Sequence, residues 1–241
     1  MKKNFFVFLC FTIALCVTNA QNTDASKKVI KANANSIVKD ANGNSYGYEI
    51  WSSLIKSRDY VLIANDSTDE MKGFLLKRLT DSEKLKRDMK YPKPFPSKFF
   101  KDGEKVSSFK TTDINGNKVV LKDLIGKIVV LNFWFINCPP CRAEIPQLNG
   151  IRNQYTGNND IVFLAVCLDE KFRINEFMKN LPFDYTQLDN GGFIAYKYGI
   201  NTFPTHVILD KEGKVRFHTS GASMGTSIWL KLTIDELIGK N

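Results

Sequence analysis

A chain of 241 residues with 43% hydrophobic content can bury one full domain and a smaller one, so folding rests on a hydrophobic core. Its formal charge of +9 is spread along the sequence, at Lys27, Lys28 and Lys31, from Lys77 to Lys90, and at Lys93, Lys98 and Lys101. Charge distributed in this way reads as a solvated surface, and without a recognition motif it argues against nucleic acid as a partner.

Residues 1–20 begin with Lys2 and Lys3, continue as an apolar run from Phe5 to Val17, and end on Thr18-Asn19-Ala20. This three-part pattern is that of a secretory signal peptide, with cleavage expected near Ala20. The run is shorter than the ~20 apolar residues of a membrane-spanning helix, and polar residues follow it at once. A retained signal anchor and lipidation at Cys16 are the alternatives. Cleavage takes the charge to +7 and removes Cys10 and Cys16, leaving Cys138, Cys141 and Cys167. Three cysteines do not make a disulfide-rich scaffold.

Residues 21–90 form a first region of unassigned role. Asn42-Gly43 marks a turn, Tyr48 to Arg58 reads as a helix, Tyr60 to Ala64 and Gly73 to Leu79 as strands, and Asp81 to Lys90 as a charged helix. Together they suggest a small α+β unit near the lower size limit for independent folding. Residues 91–98 place proline at every second position from Pro92 to Pro96, which favours extended backbone and stops a helix. The main boundary is expected there.

In residues 99–241 the pattern becomes regular. Segments 108–112 and 118–121 flank Asn115-Gly116, a hairpin signal. A strand over 127–136, a helix from Pro139 to about Tyr155, a strand over 161–168 and helices over 171–179 and 192–198 follow. Segments 205–209 and 214–219 read as a second hairpin, and 227–237 as a closing amphipathic helix. Strands alternating with helices and ending in a hairpin imply a mixed α/β sheet covered on both faces.

The strand over 127–136 delivers Cys138-Pro139-Pro140-Cys141 to a helix start. Two cysteines at this spacing form a reversible dithiol/disulfide pair, and the helix N-terminus favours a thiolate on the outer one. Cys138 is therefore the expected nucleophile and Cys141 the thiol that resolves the mixed disulfide. Structural zinc would need four ligands, which Cys167, His206 and His218 do not supply as a second pair. A permanent structural disulfide is a poor alternative, because closing so short a loop restricts the unfolded chain very little. No cofactor beyond the redox-active disulfide and no metal is expected. Pro139 and Pro140 each remove an N–H that could have pointed at the Cys138 sulfur, leaving Cys141 as the main donor. The expectation is a modestly lowered Cys138 pKa and a reducing pair, nearer thioredoxin at about −270 mV than the oxidant DsbA at about −120 mV. Cys167 lies in an apolar run and reads as a small core hydrophobe.

The stretch Trp134-Phe135-Ile136-Asn137-Cys138-Pro139-Pro140-Cys141-Arg142-Ala143-Glu144-Ile145-Pro146 resembles the active-site segment of exported thioredoxin-like reductases of the TlpA/ResA type, within the wider redoxin superfamily. Thr202-Phe203-Pro204-Thr205 resembles the cis-proline loop of that family, and the likeness runs from about Phe109 to Leu237. It implies a thioredoxin fold carrying an N-terminal β-hairpin extension, with Pro204 cis and facing the cysteines and the Phe203 backbone free to pair with an extended substrate segment. It also implies protein substrates bearing disulfides or cysteines, a thiol electron donor that could be membrane-borne, and export, to the periplasm or as a membrane-anchored form. Pro146 matches the helix-kinking proline of the family.

Two departures stand out. Many thioredoxins carry tryptophan before the first cysteine and a buried aspartate in the preceding strand, where this chain has Asn137 and Asn132. Neither asparagine can accept a proton as a carboxylate would. Glu144, Asp169 and Glu170 are the candidates for proton transfer at Cys141, with Glu144 at the matching acidic position and the other two expected as solvated surface carboxylates. His206 and His218 read as structural residues of the terminal hairpin. The leading function is an exported thiol-disulfide oxidoreductase that reduces or isomerises protein disulfides. Two alternatives are a peroxiredoxin-like peroxidase, for which Phe135 stands where threonine or serine is needed, and a partner-binding module with a vestigial dithiol.

Overall fold

A computed structural model describes residues 31–240 apart from Thr68, so the leader and its two cysteines lie outside the described residues. Within it the chain divides into two compact units after Asp81. The boundary read from sequence lay later, in the proline-bearing stretch 91–98.

The first unit contains β1 (Val38–Lys39), α1 (Tyr48–Lys56), β2 (Tyr60–Ala64) and β3 (Phe74–Arg78). Its sheet runs β1-β3-β2, with β1 parallel and β2 antiparallel to β3. Alternation along β3 turns Phe74 and Leu76 inward, where they meet Val38 and Trp51 in a small core. β1 has two residues, too few for any periodicity to show in sequence. Gly73 sits at φ +71°, and a Cβ there would lie 2.4 Å from the Ile37 carbonyl oxygen, so only glycine lets the chain pass.

α2 (Asp81–Asp88) starts at the division, and the second unit then carries β4 (Lys110–Thr112), β5 (Lys118–Val120), β6 (Ile128–Trp134), α3 (Pro139–Gln154), β7 (Ile161–Cys167), α4 (Lys171–Met178), β8 (Thr186–Leu188), α5 (Gly192–Lys197), β9 (Thr205–Leu209), β10 (Val215–Ser220) and α6 (Thr226–Leu237). β4 and β5 form the expected hairpin. Its turn is built by Asp113, whose Oδ1 accepts the N–H groups of Asn115 and Asn117 and whose Oδ2 accepts the Asn117 side chain. Asp210 closes the β9–β10 turn in the same way through Glu212 and Lys214.

The central sheet has the order β10-β9-β6-β7-β8. β6, β7 and β8 are parallel, while β9 runs antiparallel to β6 and β10 antiparallel to β9. Every residue of β6 is buried, as a central strand covered on both faces requires. Ile128, Val130 and Trp134 face Ile145 and Leu148 of α3 and Leu230 and Ile234 of α6. Val129, Leu131 and Phe133 face Ile194 of α5 together with Phe100, Phe109 and Leu121. Asn132 is the polar exception on the first face.

The stretch 91–98 packs within the second unit. Trp229 Nε1 donates to the Tyr91 carbonyl at 3.0 Å, Thr219 Oγ1 to the Phe95 carbonyl at 2.9 Å, and Ser97 Oγ lies 3.0 Å from His218 Nδ1.

Candidate active site

β6 ends at Trp134, and residues 135–137 turn the chain so that Cys138 becomes the N-cap of α3, in extended conformation at φ −94° and ψ 102°. Pro139 and Pro140 take the first two helical positions, where a missing N–H is tolerated. The next amide, that of Cys141, donates to Cys138 Sγ at 3.3 Å. Cys138 and Cys141 are joined by a disulfide with their Cα atoms 5.3 Å apart, and they are 2% and 1% exposed.

The loop carrying Cys138 is held from the neighbouring strand. Trp134 pairs with Cys167, which brings the end of β7 beside the start of the loop, and Asp169 Oδ2 accepts the Ile136 N–H at 2.7 Å. Asp169 Oδ1 meets Arg173 at 2.6 Å, and its side chain is 10% exposed. The expected solvated surface carboxylate is thus corrected: Asp169 is a largely buried acceptor, because β-sheet register turns it toward the loop. Glu170 is exposed, as expected. Cys167 is buried and free, and burial pushes its thiol up to about 12.

The peptide bond between Phe203 and Pro204 is cis. β9 begins at the next residue, and Thr205 pairs with Phe133, which places this loop at the same sheet end as the cysteines. The Pro204 carbonyl accepts from Gly221 N–H at 2.8 Å. Among the described residues no hydrogen bond engages the backbone N–H or carbonyl of Phe203. The Phe203 ring meets Phe135 edge-on, centroids 5.4 Å apart. Phe135 and Phe203 therefore form one aromatic wall beside the dithiol.

Beneath α3, three polar side chains meet on an otherwise apolar face. β6 and β9 pair Asn132 with His206. Asn132 Nδ2 lies 3.3 Å from His206 Nδ1 and 3.3 Å from Glu144 Oε1. His206 Nε2 lies 2.9 Å from Glu144 Oε1 but off the ring N–H axis, a close polar contact rather than an aligned hydrogen bond. His206 is 0% and Glu144 15% exposed. By sequence alone His206 reads as a structural hairpin residue, and alternation along β9, which puts position 206 on the same face as Ile208, is the one signal that turns it inward.

Residues 103–218 match the AhpC/TSA family. Among individual proteins, the chain is 36% identical over 115 residues to thiol-disulfide oxidoreductase ResA of Bacillus thuringiensis subsp. konkukian, a match covering 47% of this chain and 66% of the relative. It is 36% identical over 128 residues to ResA of Bacillus anthracis, covering 48% and 72%. The matched stretch thus spans about two thirds of these relatives and about half of this chain. Among solved structures, it resembles a protein assigned as thiol:disulfide interchange protein DsbE from Chlorobium tepidum, at 27% identity and TM-score 0.53 over 58% of this chain and 99% of that one. A protein assigned as a disulfide isomerase from Bacteroides thetaiotaomicron matches at 25% identity and TM-score 0.54, over 58% and 91%. The mixed sheet of the second unit is a thioredoxin fold.

Proposed function

The chain belongs to the ResA family of thiol-disulfide oxidoreductases, and from that membership we propose that it reduces or isomerises disulfides in cysteine-containing proteins through Cys138 and Cys141. The observation that carries this reading is the Cys138–Cys141 disulfide at the N-terminus of a sixteen-residue helix, beside a loop whose Phe203 backbone is unpaired. In the reduced protein the Cys138 thiolate attacks one sulfur of a substrate disulfide. The substrate S–S bond breaks, one substrate sulfur leaves as a thiolate, and the other stays bonded to Cys138. Cys141, deprotonated, then attacks Cys138, restoring the intramolecular disulfide and releasing the second substrate sulfur. Two electrons pass from the dithiol to the substrate. An extended substrate segment would lie along the cis-proline loop, pairing with Phe203.

The leader pattern of residues 1–20 supports action outside the cytoplasm, in the periplasm or at its membrane, with a membrane-borne thiol protein as electron donor. Among the described residues no helix is long and apolar enough to cross a membrane. The peroxidase alternative has less support: Phe135 occupies the place three residues before Cys138, and the individual relatives carry thiol-disulfide oxidoreductase names.

The test is a pair of variants. Cys141→Ser should accumulate reductant-sensitive mixed disulfides with cysteine-bearing proteins, and Cys138→Ser should accumulate none. Equal trapping by both variants, or by neither, would overturn the reading.

A further inference from the structure

We propose that His206 is a positioning residue for proton transfer at Cys141: with Asn132 it holds one oxygen of Glu144, leaving the other as the acceptor of the Cys141 proton. This rests on the dithiol reading above.

The arrangement at Glu144 is asymmetric. Both polar contacts of its carboxylate, from His206 Nε2 and Asn132 Nδ2, are made to Oε1. Among the described residues no hydrogen bond or ion pair engages Oε2. Glu144 follows Cys141 by three positions on α3, so the two side chains project from the same side of the helix. One oxygen is fixed from below by the sheet, and the other is unclaimed one turn from the resolving thiol.

Asn132 fixes which ring nitrogen of His206 carries the proton. Asn132 Nδ2 is a donor, so the facing Nδ1 must offer a lone pair, and the ring proton then sits on Nε2, the nitrogen that lies 2.9 Å from Glu144 Oε1. Nε2 is buried with no other acceptor among the described residues. Buried polar atoms need partners, and His206 and Asn132 supply those of Glu144 Oε1.

Other titratable groups reach this face without replacing the pair. Tyr185, ahead of β8, is held protonated by burial, which raises its phenol well above the ordinary value. On α6, Lys231 and Asp235 pair with each other, and Asp235 also accepts from Tyr155. Lys93 lies over the rings of Phe217 and Trp229. At α3, Arg142 lies over the Phe177 ring, Arg152 stands in the last turn, and the two cysteines are at the N-terminus.

In the step, the Cys141 S–H proton passes to Glu144 Oε2 as the sulfur attacks Cys138 in the mixed disulfide. The substrate sulfur departs with the bonding pair, and the Glu144 proton is returned to it or to solvent. No further oxidant or reductant is needed.

Mixing the reduced full chain with dithiobis-nitrobenzoate separates the two steps. Attack by Cys138 releases the first thionitrobenzoate at a rate proportional to reagent, and closure by Cys141 releases the second at a reagent-independent rate. His206→Leu should slow the second phase about tenfold or more near neutral pH and displace its pH midpoint, leaving the first unchanged, and His206→Gln, which keeps a donor, should recover most of the rate. A folded His206→Leu with an unaltered second-phase pH profile would overturn the proposal. Absence of both phases in the unsubstituted protein would instead overturn the dithiol reading. Should His206→Leu not fold, ring-nitrogen resonances of His206 in the unsubstituted reduced protein provide the readout: they should keep the Nε2–H form and shift with Cys141 ionisation, and resonances indifferent to that ionisation would exclude the role.

Discussion

Asp169 Oδ2 accepts the backbone N–H of Ile136 at 2.7 Å, so a carboxylate beyond the end of β7 fixes the loop that presents Cys138. Because the side chain is largely buried, the bond is charge-assisted and little screened, whereas its partner Arg173 is half exposed and adds less. Asp169→Ala should lower unfolding free energy by about 1.5–3 kcal/mol, the range for a hydrogen bond to a charged group. Denaturant unfolding of the oxidised protein measures it. A loss below a few tenths would mean that water replaces the carboxylate without cost.

The Cys138 sulfur accepts from one amide, that of Cys141, because the two helical positions before it are prolines. An N-cap acceptor can also take the amide of the second helical residue, here Pro140. Pro140→Ala restores that donor and should stabilise the Cys138 thiolate, making the pair more oxidising. One net hydrogen bond of about 0.5–1.5 kcal/mol corresponds to a rise of about 10–30 mV for a two-electron couple. Equilibration against a thiol buffer of known potential reads the shift. A fall in potential would contradict the donor argument.

The elements that proved legible in sequence carry local signals. β6 is an unbroken apolar run, α3 announces itself by a cysteine cap followed by two prolines, and both hairpin turns follow from aspartate and glycine at fixed spacing. β8 leaves no sequence signal because Thr186-Gln187-Leu188 is too short for a period, its extended form depending on pairing with β7. The same distinction governs the site. Cys138 and Cys141 declare themselves by spacing, whereas Asp169 reaches Ile136 only through the β6–β7 register, and His206 meets Asn132 only through the β6–β9 register. Registers join residues 33 and 74 positions apart, which no local pattern encodes.

Cys167 lies next to the active-site loop and belongs to the same core cluster as Cys138 and Cys141, yet its chemistry should differ from theirs. With its thiol pushed up to about 12 by burial, its thiolate fraction near pH 8 falls about a thousandfold below that of an ordinary cysteine. Brief iodoacetamide treatment of the reduced native protein should label Cys138 and leave Cys167 unmodified, with Cys167 reacting only after denaturation. Peptide mapping by mass spectrometry distinguishes the sites. Native labelling of Cys167 at a rate like that of Cys138 would refute its assignment as an inert core residue.

His218 ties the stretch 91–98 to β10 through Ser97, with Asp102 Oδ1 3.6 Å from Nε2. Burial lowers its pKa below the ordinary 6.5, outweighing the opposing pull of Asp102. A histidine whose folded pKa is depressed takes up its proton more readily in the unfolded chain. The stability associated with the neutral ring is therefore fully present above about pH 6.5 and is lost as pH falls from there toward the folded pKa. Acidification should weaken the hold of 91–98, exposing the amides of Ser97 and Phe99 to hydrogen exchange sooner than those of β6. His218→Gln, which retains hydrogen bonding but cannot titrate there, should flatten this part of the stability profile. Denaturant midpoints collected below and above pH 6.5 give the comparison; an equal slope in the variant and the unsubstituted chain would show that another group sets the acid sensitivity.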